Sequence, residues 1–246
     1  MQKRGDKDQT VQRESGANTT SLFRVNFFSM ITILQHGEHE GPGTISNYLQ
    51  ECRLPFKVLR LHEGDRVPET LPLSLIILGG QMSVNDTAEY PWFKKEKTLA
   101  AAMIKENRPV FGICLGAQMI ASAFGQEVRK GVRETGWHSV NGCGGDWNQL
   151  FPETFPVFHW HEETFNLPQE ATLLVQGDAI RNQAFRLGSA VGVQFHPEVT
   201  DEIVSFWAKD LPPPERDQVI SESGKHLGGN RERCCSLIDA FVRGWV

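Results

Sequence analysis

Five short apolar runs, Ile31–Leu34, Phe56–Leu61, Leu75–Leu78, Val110–Cys114 and Val191–Phe195, set the limits on how this chain can fold. The run Ser74-Leu75-Ile76-Ile77-Leu78 has no polar alternation, so a strand built from it must be covered on both faces. Helix-like stretches at Thr44–Glu51, Trp92–Asn107 and Gly116–Phe124 lie between the runs. Strand and helix in alternation imply βαβ units and a mostly parallel, doubly wound sheet with helices on both faces. Residues 128–165 break that rhythm. They are rich in Gly and aromatic residues, with β-like alternation, and read as a small antiparallel excursion at one sheet edge. The chain is helical again from Val199. Pro212-Pro213-Pro214 must interrupt this segment, because proline lacks the amide donor and clashes with the preceding turn. Cys234–Val246 reads as a final helix, with Leu237, Ile238, Phe241 and Trp245 facing inward.

Residues 1–21 are polar, with mixed charges and no apolar period, which predicts a disordered tail over 1–29 before one domain spanning 30–246. The run beginning at Phe27 is a poor signal peptide, with a long polar leader and no small-x-small cleavage site. No apolar run approaches the roughly 20 residues that cross a bilayer, so no membrane association is expected. The 246 residues carry a net charge of −5, without the basic footprint of a nucleic-acid binder. Five cysteines, Cys52, Cys114, Cys143, Cys234 and Cys235, form neither an even disulfide framework nor a C-x-x-C pair. A reducing, cytoplasmic compartment is the natural expectation.

Chemistry concentrates at the ends of three apolar runs. At the first, a strand passes directly into a helix through Gly112-Ile113-Cys114-Leu115-Gly116, the cysteine form of a nucleophile elbow. The sharp turn excludes bulky residues beside the nucleophile. The helix N-terminus offers partial positive charge to a thiolate and, at Leu115, a free amide to an oxyanion. At the second, Val191–Phe195 leads into His196-Pro197-Glu198. Ligands of open α/β sheets sit outside the carboxyl ends of strands, so His196 is placed to serve as base and Glu198 to orient it. At the third, Leu75–Leu78 ends in Gly79-Gly80-Gln81-Met82, where the glycines let backbone approach a ligand closely and offer a second oxyanion amide.

These three segments, in this order, resemble the class I, triad-type glutamine amidotransferases, over about Met30 to Ser205. The resemblance implies a flavodoxin-like core. It assigns Cys114 as nucleophile, His196 as base and Glu198 as its orienter, with the Gly80 and Leu115 amides as oxyanion hole. Gln118 would contact bound glutamine beside Gly79. Val132–Trp137, with Gly136 and Trp137, matches the segment after the elbow helix in the branch similar to GMP synthetase. His159-Trp160-His161-Glu162-Glu163-Thr164-Phe165 looks like that branch's loop near the glutamine pocket, bringing in His161. One departure is Gln81, where proline is usual; it should change loop rigidity more than chemistry.

His159 and His161, two apart on a strand, share a face and could be half of a metal site. His36 and His39 add to that suspicion. The sequence shows no third ligand at a telling spacing, so no metal and no cofactor are expected. The chain also lacks a phosphate-binding loop of the form G-x-x-x-x-G-K-[ST], and the resemblance leaves little ordered chain for a synthase domain. Two enzymatic readings remain for its small-molecule substrate. The chain either releases ammonia from glutamine for a separate synthase subunit or hydrolyses γ-glutamyl compounds alone. A catalytically silent binding or regulatory module on the same fold is a third reading. Intact Cys114, His196 and Glu198 argue against it.

Overall fold

The computed structural model describes residues 30–245; the tail expected at 1–29 lies outside them. Among the described residues one nine-stranded sheet organises the chain. Strands β1 (Ile31–Gln35), β2 (Phe56–Arg60), β3 (Ser74–Ile77), β4 (Val110–Ile113) and β9 (Ala190–Val193) are parallel, in the order β2-β1-β3-β4-β9. All five were legible as apolar runs. Each such run divides by residue parity between two cores. Ile31, Ile33, Ile76, Leu78, Phe111 and Ile113 face one side, while Leu34, Leu75, Ile77 and Val110 face the other. Helices α1 (Gly43–Glu51) and α5 (Pro213–Val242) cover the first face, and α2 (Trp92–Lys105) and α3 (Leu115–Ala123) cover the second. The parallel half is the βαβ arrangement expected from the run pattern, and the whole is the flavodoxin-like, doubly wound core implied by the family resemblance.

The antiparallel part is larger than the sequence suggested. Besides β5 (Val128–Gly142) and β6 (Phe155–Phe165), it includes β7 (Thr172–Gln176) and β8 (Asn182–Leu187). Strand β8 joins this layer to β9, so the antiparallel half continues the same sheet. Strand β8 escaped notice because it buries polar Gln183 beside Ala184 and Phe185, which erases any alternation.

The final helix also differs from expectation. It begins at Pro213 rather than Cys234, although Leu237, Ile238, Phe241 and Trp245 are buried as foreseen. The prolines separate α4 (Asp201–Ala208) from α5, and two of them open α5, where a missing N–H costs nothing. Residues 215–233 conceal the helix because they are polar and contain Gly224, Gly228 and Gly229. Each interior glycine costs a helix about 1 kcal/mol relative to alanine. A third apolar cluster, containing Trp137, Phe158, Val204 and Val219, joins the β5–β6 hairpin to α4 and α5.

Candidate active site

Strand β4 ends at Ile113, and Cys114 turns the chain into α3 with φ 49° and ψ −104°. A positive φ at a non-glycine residue costs of order 1–3 kcal/mol, and such strain clusters at functional sites. The turn is held by Cys114 N–H donating to the Val193 carbonyl at 2.8 Å and Gln118 N–H to the Cys114 carbonyl at 3.0 Å. Both flanking glycines are required by close approach. A Cβ on Gly112 would sit 2.6 Å from the Gly116 backbone, and one on Gly116 would run into the Ile77 carbonyl. Leu115, first residue of α3, carries one of the amides without an intrahelical acceptor.

After β9, His196 N–H donates to the Phe158 carbonyl at 2.8 Å. The imidazole Nδ1 donates to Glu198 Oε1 at 2.7 Å, with both side chains almost fully buried. Burial works against the imidazolium. The Glu198 carboxylate and the Cys114 sulfur outweigh it and raise the His196 pKa to about 10. His196 Nε2 is buried without a hydrogen-bond partner among the described residues, which leaves it free to exchange a proton. Gly79 is packed against both partners. A Cβ there would lie 3.0 Å from His196 Cε1 and 3.7 Å from Cys114 Cβ.

Several supporting residues were not visible in the sequence. The His-Pro-Glu turn is gripped from two other elements: Asn230 of α5 donates to the Pro197 carbonyl at 3.0 Å, and Thr44 N–H of α1 to the Glu198 carbonyl at 2.9 Å. Trp207 of α4 stands edge-on to the His196 ring, with centroids 4.9 Å apart. On the Gly79–Gly80 side, His36 Nδ1 donates to the Gly79 carbonyl at 3.1 Å, and its Nε2 meets Glu96 at 2.9 Å inside the core. A trans peptide places N–H opposite C=O, so this bond leaves the Gly80 N–H on the side away from His36 Nδ1. Burial opposes a charged His36, yet Glu96 raises its pKa. Gln81, the departure from proline, donates to Glu40 at 2.8 Å and ties the β3 loop to the loop after β1.

The site opens into a cavity of about 1010 Å³ lined by Gly80, Gln81, Cys114, Gln118, His161 and His196, with Lys130 and Arg133 also on its wall. Gln118 reaches this wall with its amide nitrogen already directed at Gln194 Oε1 and the Glu163 carbonyl, each at 3.4 Å. Gln194 in turn points its amide at Cys114 Sγ, 3.5 Å away. Two expected substrate contacts lie elsewhere. Trp137 is packed on Phe158 and bonds Ser223 of α5 at 2.8 Å, and Gly136 abuts Val219. Their signal was a local motif match, which does not specify the face a residue takes. His159 sits behind His161 at 3.2 Å, its pKa pushed well below the ordinary value by burial and neighbouring imidazoles. Glu134, opposite His161 across the hairpin, supplies a third potential ligand for this pair, one that its distance in sequence concealed.

A thiol at a strained strand–helix junction, a buried imidazole–carboxylate pair and a glycine loop meet at the carboxyl ends of β3, β4 and β9. They define an α/β protein with a thiol–imidazole–carboxylate cluster at one end of its parallel strands. Comparison with known proteins makes the class specific: the sequence profile of glutamine amidotransferase class-I matches residues 43–203. The chain belongs to that family. It is 28% identical over 180 residues to the glutamine amidotransferase-like protein YfeJ of Salmonella typhimurium, covering 69% of this chain and 75% of YfeJ. It is 31% identical over 177 residues to a glutamine-hydrolysing GMP synthase subunit of Methanocaldococcus jannaschii, covering 69% of this chain and 88% of that protein. Against GMP synthases that continue well beyond this region, it spans only 24–34% of their length. A glutamine amidotransferase structure from Thermotoga maritima superposes with a TM-score of 0.80 at 28% identity, covering 87% of this chain and 97% of that one. Among the described residues no helix is long and apolar enough to cross a membrane.

Proposed function

We propose that this protein hydrolyses the γ-amide of glutamine through Cys114, His196 and Glu198. The observation that carries this reading is the convergence of the Cys114 thiol, the Glu198-bound imidazole and the Gly79–Gly80 loop at one pocket. With its proton already held on His196 Nε2 in a thiolate–imidazolium pair, Cys114 Sγ attacks the γ-carbonyl carbon. The resulting oxyanion accepts from the Gly80 and Leu115 amides. His196 returns the proton to the departing nitrogen, ammonia leaves, and a γ-glutamyl thioester remains. Water, deprotonated by His196, then attacks the thioester carbonyl and releases glutamate with the thiol restored. Glu198 holds the ring in the Nδ1–H tautomer and stabilises the imidazolium in both steps. The relatives named as glutamine-hydrolysing GMP synthase subunits support delivery of the ammonia to a separate synthase polypeptide.

A second reading is favoured by the pocket. Its volume of about 1010 Å³ exceeds what one glutamine fills, and Lys130 and Arg133 stand on its wall. A γ-glutamyl peptide, whose leaving amine carries its own carboxylate, would use that space and charge. Glutamate release from glutamine and from γ-glutamyl dipeptides, measured with the purified chain and with Cys114→Ala, tests both. Release from glutamine alone supports the glutaminase reading, and preferential release from dipeptides supports the peptidase. If neither is cleaved, labelling with a glutamine-analogue electrophile decides. An adduct on Cys114 indicates a competent site awaiting a partner, whereas no adduct on folded protein refutes the assignment.

A further inference from the structure

We propose that Glu134, His159 and His161 form a buried transition-metal site that accepts Zn²⁺ behind the stretch of pocket wall that His161 lines. The β5–β6 hairpin builds it. His159 and His161 are two apart on β6 and share one face, Glu134 is the cross-strand partner of His161, and Gly136 opposite His159 adds no side chain. All three side chains are buried. Their ligand atoms form a compact triangle: His161 Nε2 to Glu134 Oε2 is 3.1 Å, His159 Nδ1 to His161 Nε2 is 3.2 Å, and His159 Nδ1 to Glu134 Oε2 is 3.7 Å. Zn²⁺ with metal–ligand bonds of about 2.0–2.2 Å and tetrahedral angles requires ligand atoms about 3.3 Å apart. The triangle therefore brackets one face of a zinc tetrahedron.

Hydrogen bonds behind the triangle prepare two of its three donors, His161 and Glu134, whereas His159 Nε2 is buried with no partner among the described residues. His161 Nδ1 donates to the Glu163 carbonyl at 3.2 Å, so a neutral ring presents its Nε2 lone pair to the centre. Gln183 Nε2 donates to Glu134 Oε2 at 2.9 Å and fixes the carboxylate. Ligating imidazoles and carboxylates are characteristically oriented by such outer bonds. With Nδ1–H of His161 on the Glu163 carbonyl, the His161 Nε2 and Glu134 Oε2 lone pairs face each other at 3.1 Å, an opposition that a cation between them would relieve. A proton on His161 Nε2 would satisfy Glu134 best at about 2.7–2.9 Å, leaving His159 without a comparable bond. An ion satisfies all three edges together. It would clamp β5 to β6 where the Glu163 carbonyl also receives Gln118.

Spectroscopy of the untagged chain with Co²⁺ in place of zinc provides the test. It is made in a Cys114→Ala background so that the Cys114 thiol cannot join His196 as a competing ligand pair. One equivalent should give the strong ligand-field bands of tetrahedral Co²⁺, bleached by Zn²⁺. His161→Gln and His159→Gln should each abolish them, and His62→Gln, outside the cluster, should not. Circular dichroism of each metal-free variant reports folding, and Glu134→Gln replaces any variant that does not fold. Native mass spectrometry of the unmutated chain mixed with Zn²⁺ should show one retained ion. Absence of bound Co²⁺, octahedral spectra, or bands that survive both histidine substitutions would overturn the proposal and leave the cluster as a proton-held network.

Discussion

Substituting His36 tests whether a buried ion pair aligns the Gly79–Gly80 loop proposed to hold the oxyanion. His36 and Glu96 are both fully buried and meet at 2.9 Å, and His36 Nδ1 holds the Gly79 carbonyl at 3.1 Å. Removing one partner of a buried pair costs about 3–5 kcal/mol, because the other charge is left uncompensated. His36→Ala alone should therefore lower stability by that amount, a large part of the ~5–15 kcal/mol typical of a domain. The double variant His36→Ala/Glu96→Gln removes the orphaned charge and should recover part of the loss. Neither variant retains the bond to Gly79, so the Gly79–Gly80 peptide is free to rotate. Loss of one oxyanion donor lowers kcat by roughly 10²–10³, and the double variant should fall within that range. Glu96→Gln alone keeps the imidazole on Gly79 and should lose much less. The assay pairs glutamate release with the rate of Cys114 alkylation by iodoacetamide, which needs no oxyanion hole. Normal alkylation with depressed turnover is the expected signature. Unchanged turnover in the folded double variant, or equal loss of both rates, would refute the reasoning.

Further consequences concern the elbow and the imidazole. Gly116→Ala pushes a methyl group into the Ile77 carbonyl and should cost at least about 1–3 kcal/mol, read as a lower urea midpoint. His196 has its pKa raised from 6.5 to about 10, so its contribution to stability is complete below 6.5 and disappears as pH rises through about 10. Glu198→Gln removes a principal cause, and urea titrations should show a shallower loss of stability across that window than in the unmodified protein. Asn230→Ala leaves the buried Pro197 carbonyl without its donor and should destabilise by about 1–3 kcal/mol, with reduced turnover because the His-Pro-Glu turn loosens.

The elements that sequence reading recovered are those whose information is local. Each parallel strand carries its own apolar run, and the sheet buries both faces, so the run pattern alone located β1, β2, β3, β4 and β9. The elbow was equally legible, because Gly112 and Gly116 are dictated by backbone clashes within one turn and its neighbouring strand. Elements whose stability comes from distant packing were harder to see. Strand β8 hides behind a buried Gln183, and the first half of α5 hides behind polar residues and glycines that tertiary contacts must offset.

The sequence by itself determined the kind of core and the candidate residues Cys114, His196 and Glu198, because these lie in motifs shaped by adjacent backbone. Only the tertiary structure decided which distant side chains meet them. His36 reaches the Gly79 carbonyl from the next strand, Asn230 reaches Pro197 from the final helix, and Glu134 reaches the His159–His161 pair across a hairpin. It also decided that Trp137 packs into the α5 interface. Strand pairing and helix packing set those distances, and the spacing of residues along the chain carries no record of them.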